Sequence, residues 1–251
     1  MLSQIGRIAV RWSRQVVGTI KTVTISHEAD GWYVCFSCAE VCVQPLPLTG
    51  CETGVDVGLK VFLITAEGAS IENPRHSRKS QKSLVKAQKL VSRRKKGSKR
   101  RNKARKLLAK KYQNVRRQRQ DFHHKVALYL VRHYDAIYIE DLRVANLVRN
   151  HHLAKSISDA GWSSFRTTLE YKAACAGKQV ILVTPAYTSQ DCSACGERVK
   201  KSLSVRTHVC PSCGFIAERD QTAALNILRA GQAHRGAEAL VSTLQRESVG
   251  L

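Results

Sequence analysis

The chain has 251 residues, with 42 Lys and Arg against 19 Asp and Glu, a net charge of +23. A hydrophobic fraction of 43% excludes wholesale disorder, and no apolar run approaches the roughly 18–20 residues that span a bilayer. The opening MLSQIGRIAVRWSR carries arginines where a secretory leader needs its apolar stretch, so a soluble, cytoplasmic protein is expected. On charge alone its first partner is nucleic acid, ahead of an anionic membrane surface.

Residues 1–50 alternate apolar and polar positions in short runs: Ile8–Val10, Thr22–Ile25 and Trp32–Phe36. Asp30-Gly31 offers a tight turn between the last two, which predicts a small β-unit ending at Pro45-Leu46-Pro47. Cys51–Leu59 then reads as a strand ending in glycine, followed by a strand Val61–Thr65 and a turn at Glu67-Gly68.

Between Arg75 and Arg119 stand 21 Lys and Arg and no acidic residue, which leaves +2 for the rest of the chain. Leu84, Ala87 and Val91 recur at helical steps, as do Leu108, Tyr112, Val115, Phe122 and Val126. Each set is one narrow apolar stripe, and Gly97-Ser98 breaks the pattern between them, which predicts a helical hairpin. Solvated helix faces usually mix charges through pairs three or four residues apart. An unmixed face points instead to phosphate contact, with Lys95, Lys96, Arg100, Arg101, Lys103 and Arg105 as expected nucleic-acid ligands.

Beyond the hairpin, Ala127–His133 ends a helix and Ala136–Glu140 is a buried-type strand. Trp162–Ala176 is an amphipathic helix, Gln179–Thr184 a short apolar strand, and Asp220–Ala230 a helix with Asp220 as its N-cap. Interleaved strands and helices predict an α/β sheet.

Four of the nine cysteines form an ordered set, CSACG and CPSCG, in which Cys192-x₂-Cys195 and Cys210-x₂-Cys213 are separated by fourteen residues. Gly196 and Gly214 let each backbone bend around the sulfurs. Four thiolates close a tetrahedron suited to zinc and leave no open position, so such a site is structural. Cys35, Cys38 and Cys42 lie along a strand-like run whose side chains alternate between faces, and they read as packing residues. Cys51 and Cys175 read as inert.

Three carboxylates interrupt or end core elements of an acid-poor chain. Asp56 sits inside the apolar strand GVDVGL, Glu140 ends AIYIE, and Asp220 opens a helix just after the cysteine pairs. Separately they could be a surface acid, a strand end and a helix cap. Together they could hold two Mg²⁺ or Mn²⁺ ions about 3.5–4 Å apart, the arrangement that hydrolyses phosphodiesters.

The segments GVDVGL, IYIEDLRVANL and AERDQTAALNIL resemble the three split pieces of a RuvC-like nuclease domain. YTSQDCSACG and HVCPSCG lie immediately before the third piece, and GWSSFRTTLEYKAACAG lies upstream. From about Ile5 to Ala230 the chain resembles the TnpB (OrfB) proteins encoded by insertion sequences, RNA-guided DNA endonucleases related to the type V CRISPR effectors and long described as transposases. The resemblance implies an α/β fold: an RNase H-like (RuvC) mixed sheet with an inserted basic helical hairpin, a zinc ribbon and a small N-terminal β-unit. It divides the chain into a β-rich remnant of a wedge domain (1–50), RuvC-like parts at 51–74, 134–187 and 217–230, the basic insertion (75–133), the zinc ribbon (188–216) and a tail (231–251).

By the same resemblance Asp56, Glu140 and Asp220 are the catalytic triad on two Mg²⁺ or Mn²⁺ ions, and Cys192, Cys195, Cys210 and Cys213 hold zinc. The partners are a transposon-derived guide RNA and target DNA, with no membrane, and the expected location is the cytoplasm, at the nucleoid. Asn226 matches an asparagine near the end of the third piece, whereas Thr222 replaces the asparagine of the usual Asp-x-Asn-Ala-Ala. Ile5–Val43 resembles only the end of the wedge domain, so a truncated copy and a minimal variant are both expected forms. Two further readings therefore stand beside the first: a guided or unguided nucleic-acid-binding protein that does not cut, and a guide-independent RuvC-like nuclease.

Overall fold

The computed structural model describes residues 6–41, 45–185, 187–200, 202 and 205–249, with side chains described as far as 236. Two compact units divide it, one made of 1–44 and 81–115, the other of 45–80 and 116–251.

In the first unit β1 (Thr19–His27) and β2 (Trp32–Ala39) pair antiparallel, with His27 opposite Trp32. The expected turn closes them: the Glu28 N–H donates to the Gly31 carbonyl at 2.8 Å. Every residue of β1 is exposed, so alternation along the hairpin does not translate into burial. Cys35 is accordingly exposed and Cys38 only half-buried, which corrects their reading as packing residues; Cys42 lies outside the described residues. Ile8–Val10, expected as part of the β-unit, forms no strand.

The basic hairpin consists of α1 (His76–Ser92) and α2 (Lys99–His133). Ser98, at the predicted break, caps α2 by accepting from the Arg101 N–H at 3.1 Å. The apolar stripe buries Leu84, Ala87, Ala104 and Val115. Tyr112 departs from it and is exposed, its hydroxyl accepting from Gln88 Nε2 at 2.8 Å. The adjacent Gln113 is buried instead, because its amide donates to Glu28 and Asp30 at 2.6 Å each.

The second unit is built on a five-stranded sheet. In chain order its strands are β3 (Glu52–Val57), β4 (Val61–Thr65), β5 (Ser70–Glu72), β6 (Ala136–Glu140) and β7 (Gln179–Val183). Across the sheet they run β5-β4-β3-β6-β7; the first three are antiparallel, and β6 and β7 continue parallel to β3. This is the mixed α/β sheet expected from the sequence.

Alternation along β3 and β6 sorts their side chains between two layers. Val55, Val57, Ile137 and Ile139 point to one face, where they pack with Val126, Leu130 and Val131 of α2 and with Phe165 and Leu169 of α5 (Trp162–Ala176). Ala136 and Tyr138 point to the other, against Ile227 of α6 (Arg219–Val249). Between β6 and α5 lie α3 (Val144–Leu147) and α4 (His151–Ala160), neither predicted. The α6 helix continues past its expected end at Ala230, and Asp220 belongs to its first turn rather than capping it. Just ahead of β6, Asp135 pairs with Lys178 and accepts the Thr49 and Gly50 N–H groups, which hold its carboxyl well below the usual range.

Candidate active site and metal centre

The sheet register brings the first two carboxylates together. Val55 pairs with Ile139 in parallel register, so Asp56 and Glu140 stand one step further along neighbouring strands and project from the same face. Both are at the carboxyl ends of their strands, where open α/β sheets place ligands.

A glycine brings the third. A Cβ on Gly54 would lie 2.1 Å from the Ala224 carbonyl oxygen and 2.5 Å from the Leu228 nitrogen, so α6 rests directly on the β3 backbone. Asp56 follows Gly54 by two residues on that face, and Asp220 precedes Ala224 by one helical turn. The crossing therefore sets Asp220 beside Asp56.

The electrostatics agree. Burial, then the charges of Glu140 and Asp220, push the half-buried Asp56 carboxyl up to about 8, with the Arg219 guanidinium opposing them. Glu140 is also raised by burial, and a hydrogen bond from the Thr188 hydroxyl at 2.5 Å opposes that. Asp220 is held by two arginines, Arg219 at 2.9 Å and Arg206 at 3.3 Å. The oxygens of the three carboxylates do not all lie within 4.8 Å of one another, as the four sulfurs described next do. A pocket of like charges around one half-buried carboxylate is costly unless a cation joins it, and the donor set is the all-oxygen kind that suits Mg²⁺ or Mn²⁺.

The four predicted cysteines converge. Their sulfurs lie within 4.8 Å of one another, with Cys192 and Cys213 3.7 Å apart and Cys195 and Cys210 3.6 Å apart. Sulfurs about 2.3 Å from a common centre are separated by about 3.8 Å in a tetrahedron, so the cluster could hold a zinc ion. The two knuckles repeat one backbone pattern. Cys192 N–H donates to Glu197 and Cys210 N–H to Phe215, while Gly196 and Gly214 donate back to Cys192 and Cys210. Both glycines have positive φ, 79° and 72°, which a side chain would resist. The Cys213 amide in turn helps hold the Cys210 thiol down at about 6. On either side of the second knuckle, β8 (Thr207–Val209) pairs with β9 (Ile216–Glu218).

Thr188 and Arg229, which the sequence did not single out, join Asn226 in tying ribbon and carboxylates together. Asn226 Nδ2 donates to the Thr188 and Asp191 carbonyls at 2.8 and 2.7 Å, and the Arg229 guanidinium donates to the Ser193 carbonyl. Thr188 stands in a polar segment without periodicity; only its place four residues before Cys192 could have drawn attention to it.

The six predicted nucleic-acid ligands lie at the hairpin's turn and the start of α2. Lys95, Lys96, Arg100, Lys103 and Arg105 are exposed; Arg101 is half-buried and donates to the Arg94 carbonyl at 3.1 Å, closing the turn.

Comparison with known proteins extends this picture. Residues 23–151 match the OrfB_IS605 family model, described as probable transposase, and residues 162–227 match the Cas12f1-like TNB domain model. A Streptomyces pristinaespiralis protein provisionally named RNA-guided DNA endonuclease is 40% identical over 229 residues, 89% of this chain and 56% of its own length. InsQ of Escherichia coli K12, given the same provisional name, is 32% identical over 248 residues, 92% of this chain and 62% of its own. The chain thus spans little more than half the length of these relatives. A Cas12f1–sgRNA–target DNA complex and a CRISPR–Cas12f ternary complex share the fold, at TM-scores of 0.53 and 0.55 and 17% and 18% identity. Each match covers 82% of this chain, and 55% and 44% of the respective neighbour.

Proposed function

Because the chain belongs to the OrfB_IS605 family of probable transposases, we propose that it carries the nuclease centre of a transposon-encoded, RNA-guided DNA endonuclease. The observation that carries this reading is the convergence of three carboxylates: strand register sets Asp56 beside Glu140, the α6 crossing at Gly54 brings Asp220 to them, and burial with their charges raises the Asp56 carboxyl. Carboxylates from two strand ends and a helix start, crowded enough to raise one another's pKa without a cation, are a donor set suited to metal-dependent phosphodiester hydrolysis. Asp56, Glu140 and Asp220 would together hold two Mg²⁺ or Mn²⁺ ions. Bound there, such ions supply a water activated near neutral pH and charge stabilisation for the leaving oxygen.

The remaining roles belong to other side chains. Arg206 and Arg219 neutralise Asp220, and the exposed Lys and Arg of the hairpin grip phosphates of the guide RNA or the target DNA. The guide, transposon-derived, supplies sequence specificity by base pairing, and the protein supplies backbone contacts. Zinc in the four-cysteine cluster is structural. Among the described residues no helix is long and apolar enough to cross a membrane.

The test is expression with the flanking transposon DNA, sequencing of co-purifying RNA, and cleavage assays with Mg²⁺ or Mn²⁺. Asp56→Ala, Glu140→Ala and Asp220→Ala should each reduce cutting by orders of magnitude and leave RNA and DNA binding nearly intact. Cutting that survives Asp56→Ala overturns the assignment. Protein that binds RNA and never cuts is a guided binder, and cutting without RNA marks a guide-independent nuclease.

A further inference from the structure

Among the described residues, the Glu140 carboxylate receives one side-chain hydrogen bond, from the Thr188 hydroxyl at 2.5 Å. Thr188 is itself fixed from its other end, because its carbonyl accepts from Asn226 Nδ2 at 2.8 Å and the same amide holds the Asp191 carbonyl at 2.7 Å. Asp191 immediately precedes Cys192, whose N–H is engaged in the first knuckle, and Arg229 holds the next carbonyl, that of Ser193. A continuous set of hydrogen bonds therefore runs from the four-cysteine cluster, through α6, to one of the three carboxylates.

We infer that Thr188 is a positioning residue: its hydroxyl orients the Glu140 carboxylate for a divalent cation, and Asn226 holds Thr188 in register with the zinc knuckle. The inference rests on the metal-dependent nuclease reading above and adds to it a role for the ribbon beyond stability. A carboxylate at a strand end can turn about its side-chain torsions, and a donor on one oxygen fixes that oxygen and leaves the other for a cation. Removing such an outer hydrogen bond typically costs 10–100-fold in metal affinity. Thr222, which replaces the family's asparagine, does not share this role: its hydroxyl donates to the Glu218 carbonyl at the end of β9.

The experiment needs no cleavage. Mn²⁺ binding to the full chain, without nucleic acid, is followed by electron paramagnetic resonance, and zinc is measured in the same samples. Wild-type protein should bind Mn²⁺ in a way that Asp56→Ala abolishes. Thr188→Val, nearly the same shape without the hydroxyl, should weaken that binding about tenfold with the zinc content unchanged, and Thr188→Ser should stay within about twofold of wild type. Asn226→Ala leaves the hydroxyl in place but frees the threonine backbone. It should weaken Mn²⁺ binding in the same direction, and it decides the matter if Thr188→Val fails to fold. In cleavage assays the Thr188→Val defect should shrink as Mg²⁺ is raised, with KM for target DNA unchanged. Wild-type Mn²⁺ affinity in Thr188→Val or, where that variant does not fold, in Asn226→Ala overturns the inference. Thr188→Ser as weak as Thr188→Val does the same, since the hydroxyl would then be irrelevant. Wild-type protein without Asp56-dependent Mn²⁺ binding is a distinct result, which overturns the nuclease reading and this inference with it.

Discussion

Gly54 is the residue on which the carboxylate cluster depends most directly without contributing a functional group. A methyl there would meet backbone atoms of Ala224 and Leu228, which cannot rotate away as a side chain could. Gly54→Ala should therefore cost about 3 kcal/mol or more in urea unfolding and move Asp220 off Asp56, abolishing any activity along with the stability. Asp56 shows the opposite bargain. Its carboxyl rises from 3.8 to about 8 on folding, so between those values the folded state binds more protons than the unfolded chain and stability falls as pH rises. In divalent-free buffer, Asp56→Asn should lose less stability than wild type between pH 5 and pH 8. It should be the more stable protein at pH 8, by an amount on the order of a few kcal/mol. Added Mg²⁺ should narrow that gap by stabilising the wild type, and thermal melts at the two pH values would show it. Both residues were visible in the sequence to different degrees. A charge inside an apolar strand announces itself, whereas the need for glycine at position 54 arises only once α6 has been laid on β3.

At the scale of elements, the readable parts were those with a sustained period. The β6 and α5 boundaries match the sequence reading at both ends because each carries a complete apolar pattern, Ala136–Glu140 and Trp162–Ala176. The three-residue strands β5, β8 and β9 are too short to have one. The α4 helix carries both end signals in its sequence, an Asn150 side chain that accepts from the His152 N–H and a Gly161 at φ 66° that ends the helix. Tyr112 misled because spacing alone could not foresee that Glu28 and Asp30 would draw Gln113 inward. The zinc ribbon was legible through spacing, and its consequences are measurable. Purified protein should contain about one zinc per chain, and Cys213→Ser should lose the metal and the order of the two cysteine knuckles, since binding energy there is folding energy. Metal analysis alongside limited proteolysis would check both.

For the molecule as a whole, charge is the organising asymmetry: +21 between Arg75 and Arg119 and almost none elsewhere. Replacing Lys95, Lys96, Arg100 and Arg101 by Gln should weaken nucleic-acid binding and flatten its salt dependence. The slope should fall by roughly 0.7–0.9 for each phosphate that is no longer neutralised. Arg101 also closes the hairpin turn, so Lys103→Gln with Arg105→Gln is the cleaner pair for a titration across salt concentrations.

The parallel pairing of β3 with β6 carries a consequence in time. Setting Val55 beside Ile139 means closing a loop of about eighty residues, and such long-range closures are slow. The local pairings of the helical hairpin, Gln88 with Tyr112 and Arg101 with Arg94, can form earlier and shorten the span to be closed. Asp220 comes last of all, on a helix that must find Gly54 after both strands are paired. A chain emerging from the ribosome therefore holds two of its three carboxylates well before the third exists. The cluster of three carboxylates is incomplete until α6 has docked on β3.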